Sequence, residues 1–447
     1  MCSPVSHLIV IHVAFMACFV RLDGFDTFWF NLFSLVAKIN LPYAVTNSMH
    51  EVALISATGY AWAGHMKTPS KFSIAIAVSL VSTVTAHEPV IRARTTINIP
   101  DIPGYATVLK CDFHIHTVFS DGNVWPTVRS EEAWREGLDA IAITDHIEYQ
   151  PHKADVSTNH NRSYEIARGT GNELDVLVIK GSEITRKMPP GHMNAIFLTN
   201  STALDVKEWR DAARIAHEQG AFIFWNHPGW ESQITNGVVV WYPEHTWLVE
   251  QGFLQGIEVV NGRDYYPEAH RWAIEKKLTM LSNSDIHAPL NMDYHVHAGD
   301  HRPLTLVFAT ARTKEAIREA LFARRTVVYS GEKLIGDEQW LKPIFEQSVR
   351  FNRTGVTLKG RERVYLQISN ISDVTYELER VKDAEGLQTP GKLTVPGGKT
   401  VLFEVRAKAG APDGAKQLTA TYRVNNLLVG PDQPLEVKLP FDVTFTR

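Results

Sequence analysis

The sequence predicts an α/β domain, either a parallel barrel or an open wound sheet, followed by an all-β immunoglobulin-like sandwich. Three observations carry this. Strand-like and helical runs alternate from Val108 to about Tyr329, and the helical period vanishes beyond about Arg350. His, Asp and Glu side chains also recur at or near the ends of the strand-like runs, which is where α/β folds gather their functional groups.

In order, Val108–His116 reads as a strand and Pro126–Glu136 as a helix with proline at its start. Ala140–Thr144 is the second strand, and a polar stretch runs from it to Arg168. Leu174–Glu183 and Met193–Leu198 read as strands, Val206–Gln219 as a helix, Ala221–Trp225 and Gly256–Val260 as strands, and Pro267–Lys277 as a helix. Leu278–Leu281, Leu304–Ala309 and Thr326–Tyr329 complete the strand set, with Thr313–Ala323 helical between the last two. This places the α/β domain at 108–335 and a mixed polar linker at 336–350.

From 351 to 447 the strands are short: Val356–Leu358, Arg363–Ser369, Thr375–Arg380, Gly391–Val395, Thr400–Ala407, Gln417–Val424 and Leu435–Phe445. Turn signals such as Pro396-Gly397-Gly398 separate them, as in a sandwich. The region holds no cysteine pair, so it is not the disulfide-linked form.

The amino-terminal part reads differently. Met66 to Lys71 is basic, Phe72 to Val84 is mostly apolar, and Val84-Thr85-Ala86 is small before His87. That is a signal-peptide profile over 66–86, with cleavage after Ala86, a short mature segment at 87–107, and residues 1–65 upstream of the mature protein. A rival reading makes His7–Val20 the leader, although no Lys or Arg precedes it. The expected location is periplasmic or secreted, with no membrane span in the mature chain.

A formal net charge of -4 provides no broad basic field, which argues against a nucleic-acid polymer as partner. The three cysteines, Cys2, Cys18 and Cys111, match neither a disulfide framework nor a four-cysteine zinc site. Cys111 is expected to be a buried apolar residue.

The chemistry lies in the strand-end motifs. His114 and His116 alternate onto one face of a strand and can reach one cation, with Asp121 beyond them in a loop that Gly122 lets turn. Thr144-Asp145-His146, Gly181-Ser182-Glu183, Gly191-His192, Asn226-His227-Pro228 and Ser284-Asp285-Ile286-His287 follow. Imidazole with carboxylate suits Zn²⁺, Mn²⁺ or Fe²⁺, and a carboxylate can bridge two cations.

In order and type, these motifs resemble the polymerase and histidinol phosphatase (PHP) family over roughly Val108 to Ser330. The resemblance implies a distorted seven-stranded β/α barrel, two to three divalent cations, and hydrolysis of a small phosphate ester by metal-activated water. It assigns His114, His116, Glu183 and Asp285 to one metal, with Glu183 bridging to a second held by His192 and His227. Asp121, His146 and His287 hold the third. Asp285 is also a candidate proton acceptor.

Arg263 and His295 are candidate substrate contacts, with Arg186 and His297 as further anion contacts and Trp230, Tyr265 and Tyr266 as a wall for an organic substituent. His217 and His270 fall within helices and read as structural. The expected activity is phosphodiester hydrolysis. The alternatives are a phosphomonoesterase of the histidinol phosphatase type and, outside enzymes, a metal-containing surface-binding protein.

Overall fold

The computed structural model describes residues 94–446 except Ala106, Thr235 and Pro412. The expected upstream segment, the signal peptide at 66–86 and the start of the 87–107 segment lie outside the described residues. Among the described residues, no helix is long and apolar enough to cross a membrane.

The α/β domain contains β1 (Thr107–Asp112), β2 (Ala140–Ile143), β3 (Leu177–Ile184), β4 (Met193–Ile196), β5 (Phe222–Trp225), β6 (Gly256–Asn261), β7 (Asp264–Tyr265), β8 (Thr279–Asn283), β9 (Leu304–Ala309), β10 (Thr326–Ser330) and β11 (Lys333–Ile335). Parallel pairs β1–β2, β2–β3, β5–β6 and β6–β8 form its frame. Strands β3, β4 and β5 pair antiparallel, because no helix intervenes between β3 and β4 to carry the chain back across the sheet.

The two ends of this sheet are joined by side chains. Thr305 Oγ1 accepts from Ser282 N and donates to Ser282 O, each at 2.9 Å, linking β9 to β8. Asn283 Oδ1 accepts from Phe113 N at 2.8 Å, and Ile115 bridges Ile286 in parallel. The sheet therefore curls until the ends of β1 and β8 lie side by side, which brings His114 and Asp285 together.

Helices α1 (Pro126–Arg135), α2 (Arg162–Leu174), α3 (Trp209–Glu218), α4 (Pro243–Glu250), α5 (Pro267–Lys276), α6 (Leu290–Asp293) and α7 (Lys314–Phe322) belong to this domain. The stretch expected to be merely polar as far as Arg168 contains the start of α2. Its buried stripe is Ser163, Ala167 and Gly171, spaced at i, i+4 and i+8, so the helical face is made of small residues and lacks an apolar signature. A Cβ on Gly171 would meet Val178 Cγ2 at 2.4 Å, so the helix needs that small face to approach β3.

The expected linker at 336–350 is instead α8 (Glu338–Ser348) leading into β12 (Val349–Phe351). It buries Trp340, Leu341, Ile344, Phe345 and Ser348, an amphipathic pattern concealed by Pro343 inside the helix. Trp340 stacks on Phe308 of β9 with ring centroids 5.1 Å apart.

The sandwich continues with β13 (Gly355–Lys359), β14 (Arg363–Asn370), β15 (Tyr376–Lys382), β16 (Leu387–Gln388), β17 (Lys392–Val395), β18 (Thr400–Ala407), β19 (Gly414–Gly430) and β20 (Gln433–Thr446). One layer runs β12–β14–β18–β16; the other joins β13, β20, β19, β15 and β17. Alternate residues of β20 turn inward, and Phe441 stacks on Phe403 of the opposite layer at 5.6 Å.

Strand β11 pairs in parallel with β19, so the sheet of the α/β domain runs on into the sandwich. The described residues form one compact unit, and the two domains share apolar core. Cys111 is free and buried in that unit.

Candidate metal centre

Beyond β1 the backbone stays extended, so Phe113 and Ile115 face apolar core while His114 and His116 face the opposite way. Asp112 ties this run to its neighbour. Its Oδ1 accepts from His114 N at 3.3 Å and Ser284 N at 3.1 Å, and its Oδ2 accepts from Ser284 Oγ at 2.5 Å. Asp285 N then donates to His114 O at 2.9 Å.

Two ligand-bearing strand ends have left-handed backbone at residues other than glycine: His227 at φ 29° and Asp285 at φ 54°. Each such residue costs about 1–3 kcal/mol, and such conformations persist where the surroundings enforce them, as the Asp285–His114 hydrogen bond does here. Gly122 has a different role from the one expected. Its φ is not positive; a Cβ there would meet the His116 backbone carbon at 2.7 Å, so glycine permits close approach.

Nine side chains, those of His114, His116, Asp121, His146, Glu183, His192, His227, Asp285 and His287, converge. His114 Nε2 lies 3.1 Å from His116 Nε2, 3.3 Å from Glu183 Oε2 and 3.1 Å from Asp285 Oδ1. His116 Nε2 lies 3.2 Å from the same Glu183 oxygen and 3.0 Å from the same Asp285 oxygen. Ligands about 2.0–2.2 Å from one cation would have edges of about 3 Å, so the atoms of His114, His116 and Glu183 could share one ion, and His114, His227 and Asp285 form an adjoining group.

Asp121 Oδ1 gathers His146 Nε2 at 3.3 Å and His287 Nε2 at 3.2 Å, with His116 Nδ1 at 3.9 Å. Glu183 Oε1 faces His192 Nδ1 at 2.5 Å and His227 Nε2 at 3.8 Å. His146 Nδ1 reaches Glu183 Oε2 at 3.0 Å, so one fully buried carboxylate touches every part of the cluster. Asp121 Oδ1, Glu183 Oε1, Asp285 Oδ1 and His192 Nδ1 are buried without a hydrogen bond of acceptable geometry. Orphaned atoms of this kind are uncommon in folded proteins, and here their chemistry fits divalent cations.

Sequence comparison agrees with this geometry. A two-domain protein from Bacteroides vulgatus, described as containing a predicted PHP-like metal-dependent phosphoesterase, is 46% identical. The match covers 78% of this chain and 98% of that one, with a TM-score of 0.73. The chain belongs to the PHP-like metal-dependent phosphoesterases. The DUF5001 Ig-like domain family matches residues 349–440, the sandwich of this PHP-like protein.

A Bifidobacterium adolescentis protein described as a candidate metal-dependent phosphoesterase is 18% identical, over 40% of this chain and 87% of that one, with a TM-score of 0.33. An uncharacterized protein from Methanocaldococcus jannaschii is 35% identical over 82 residues, 18% of this chain; the match spans about a third (36%) of that relative's length.

Around the PHP-like centre stand residues that motif reading missed. Glu258, fully buried in β6, accepts from His114 Nδ1 at 2.9 Å, Asn283 Nδ2 at 2.9 Å, His227 N at 2.7 Å and Asn261 Nδ2 at 2.8 Å. A carboxylate on the far nitrogen of an imidazole fixes its tautomer and aim. A lone glutamate within Gly256-Ile-Glu-Val-Val260 was the available signal. Glu258→Gln is expected to weaken metal affinity or lower kcat/KM about 10–100-fold; metal titration followed by rate measurement checks this.

Arg129 has no such signal. Buried on α1, it donates to the carbonyls of His116 (2.8 Å), Ile286 (3.0 Å), His287 (2.7 Å) and Ala288 (2.9 Å), bracing both ligand loops at once. Asp145 closes the first of these loops by accepting from Thr117 N at 2.7 Å and Ser120 Oγ at 2.8 Å.

Arg186 and Arg263, two of the expected anion contacts, are paired with carboxylates. Arg263 is exposed, donates to Asp300 Oδ2 at 2.7 Å and Asp293 O at 2.8 Å, and lies over the Tyr294 ring. His295 is exposed, and its backbone N donates to the same Asp300 carboxylate. Asp300 thus engages the Arg263 guanidinium and the His295 backbone. Arg186 pairs with Glu148 Oε1 at 2.7 Å and donates to Val206 O and Lys207 O. The His297 side chain lies outside the described residues. Tyr265 bonds His270 at 3.0 Å, and Tyr266 is buried against Gly229, so neither forms a free wall. His217 and His270 sit in helices α3 and α5.

Burial opposes charge at His114, His116, Asp121, His146, Glu183, Asp285 and His287, yet close opposite charges overcome it at all of these but His116. His114 is raised well above the ordinary value despite burial, by Asp285 and Glu258. Burial likewise loses to Glu183 and Asp121 at His146, which is pushed up to about 11. His116 goes down, through burial and the neighbouring imidazoles His287 and His146. Asp121, Glu183 and Asp285 are lowered by surrounding histidines although burial pushes the other way.

In metal-free protein the raised histidines stabilise the fold below their unfolded value of 6.5, and that contribution is lost as pH rises toward 11 at His146. The depressed carboxylates stabilise above their unfolded values, 4.5 for Glu183, and lose this as pH falls. With chelator present, the melting temperature is expected to peak between those two unfolded values and to decline toward pH 9. A flat profile from pH 6 to 9 contradicts it. Metal loading should release protons, measurable by calorimetry in buffers of different ionisation enthalpy.

Proposed function

We propose that this PHP-like protein is an exported phosphodiesterase that hydrolyses small phosphate diesters with two to three divalent cations, Mn²⁺, Zn²⁺ or Fe²⁺. His114, His116, Glu183 and Asp285 would hold the first, Glu183 with His192 and His227 the second, and Asp121, His146 and His287 the third. When bound, such ions acidify water and neutralise charge building on phosphoryl oxygens.

The chain's own residues do the rest. Glu183 and Asp285 fix the spacing of the imidazoles, and Glu258 aims His114. Asp285 Oδ2, held 3.4 Å from Asn261 Nδ2, serves as acceptor for the proton lost by the attacking water. The catalytic assignment to Glu183 and Asp285 rests on their position in the cluster.

The observation that carries the diester reading is the engagement of Arg186 and Arg263, the two arginines expected to contact the anion. Arg186 is committed to Glu148 and Arg263 to Asp300. A monoester dianion calls for additional guanidinium or ammonium groups, whereas a diester carries a single negative charge.

The test compares an aryl phosphate with an alkyl aryl phosphate on protein reconstituted with Mn²⁺ or Zn²⁺. The diester should turn over faster; a strong monoester preference overturns the reading. Export with cleavage after Ala86 is part of the same proposal, supported by the sequence profile of 66–86. Amino-terminal sequencing of the secreted protein tests it, and a mature chain retaining Trp29 to Phe33 refutes it.

A further inference from the structure

Two aromatic side chains beside the centre are left open to water. Trp230 is 43% exposed and Tyr149 is 51% exposed. The Trp230 ring lies 5.5 Å from His192 and 5.1 Å from His227, while the Tyr149 ring lies 6.0 Å from His146. His192 and His146 are themselves 5.9 Å apart, so the exposed rings stand at the two ends of one row of imidazoles.

Trp230 is held in place. Its N donates to His227 O at 3.0 Å, and Gly229 just before it fits under Tyr266, where a Cβ would meet Tyr266 Cδ1 at 2.6 Å. Other tryptophans carry cations over their rings: Arg210 over Trp209 and Trp247, and Lys276 over Trp241. Among the described residues no cation covers Trp230. A fixed, uncovered indole against buried imidazoles exposes a large apolar face that neither core packing nor a cation uses.

We infer that Trp230 and Tyr149 form a stacking platform for a planar ring on the substrate's organic substituent, so that the preferred diesters carry an aryl group or a nucleobase. This rests on the phosphodiesterase reading and narrows its substrate class. An aromatic contact of this kind adds about 0.5–1.5 kcal/mol, which is about two- to twelvefold in affinity.

The experiment uses the full chain loaded with Mn²⁺ and three diesters that share a p-nitrophenolate leaving group: methyl, phenyl and thymidine 5′-p-nitrophenyl phosphate. A common leaving group removes differences in intrinsic reactivity. Calorimetric binding of phenylphosphonate and methylphosphonate gives a second readout independent of turnover. Wild-type protein should favour compounds whose non-leaving substituent bears a ring over their methyl counterparts by about three- to tenfold in KM and in binding. Trp230→Leu should bring both ratios near one, and Tyr149→Leu should reduce them; circular dichroism and bound metal verify that the variants fold.

Equal preference for phenyl and thymidine indicates ring stacking in general, and preference for thymidine alone indicates a nucleobase; both support the platform. Ratios near one in wild-type protein overturn it whatever the variants do. If no diester turns over yet phenylphosphonate binds better than methylphosphonate, the diester reading fails and the platform stands.

Discussion

Glu183→Gln is expected to empty the metal centre and to lower kcat/KM on small diesters by at least about 100-fold, more than the roughly 10–100-fold typical of an outer partner. The size follows from its position. Oε2 lies within 3.3 Å of nitrogens on His114, His116 and His146, and Oε1 faces His192 and His227. A carboxamide has similar volume but places an N–H₂ where one carboxylate oxygen was, and it carries no charge to offset the cations.

Folding should be affected far less, since glutamine keeps the packing. Metal per chain by elemental analysis, the rate on an alkyl aryl phosphate, and the melting temperature together separate these effects. Retention of full metal content with unchanged kcat/KM would exclude Glu183 as the shared ligand. Asp285→Asn separates the enzyme reading from a surface-binding one: a folded variant that lost metal yet kept all function would favour the latter.

Arg302→Met is expected to cost about 3–5 kcal/mol of stability, the penalty for breaking a buried ion pair from one side. The guanidinium is fully buried; its Nε donates to Glu136 Oε2 at 2.5 Å and its Nη1 to Asp112 Oδ2 at 3.1 Å. Glu136 follows α1 and Asp112 ends β1, so the change strands two buried carboxylates at once. Burial already pushes Glu136 up even with its partner present.

Asp112 is also what holds His114 N and Ser284 N, so metal affinity should weaken alongside stability. Denaturant unfolding measures the first and metal titration the second. Adding Asp112→Asn and Glu136→Gln should recover part of the lost stability by removing the stranded charges. A loss below about 1 kcal/mol for the single variant would show that solvent reaches these groups, as surface pairs contribute only that much.

Legibility differed from part to part for physical reasons. His114 with His116 and Asp285 with His287 were readable because alternation along an extended chain fixes which residues share a face. Strands β9 and β18 matched their expected bounds because branched and aromatic residues mark them. Helix α2 was illegible because Ser163, Ala167 and Gly171 leave no apolar stripe, and α8 because Pro343 interrupts one. The expected roles of Arg263 and His295 came from proximity along the chain, which does not reveal that Asp300 bonds the Arg263 guanidinium and the His295 backbone.

By itself the sequence determined the α/β alternation, the sandwich after the α/β domain, and the set of side chains able to bind cations, since these follow from local periodicity and ligand chemistry. Tertiary structure alone decided that β11 carries the sheet into the sandwich, that Glu258 and Arg129 brace the centre, and which oxygen of Glu183 faces which imidazole. Those features depend on groups far apart in the chain meeting within about 3 Å, at distances set by how the sheet curls and closes, and no local pattern encodes that.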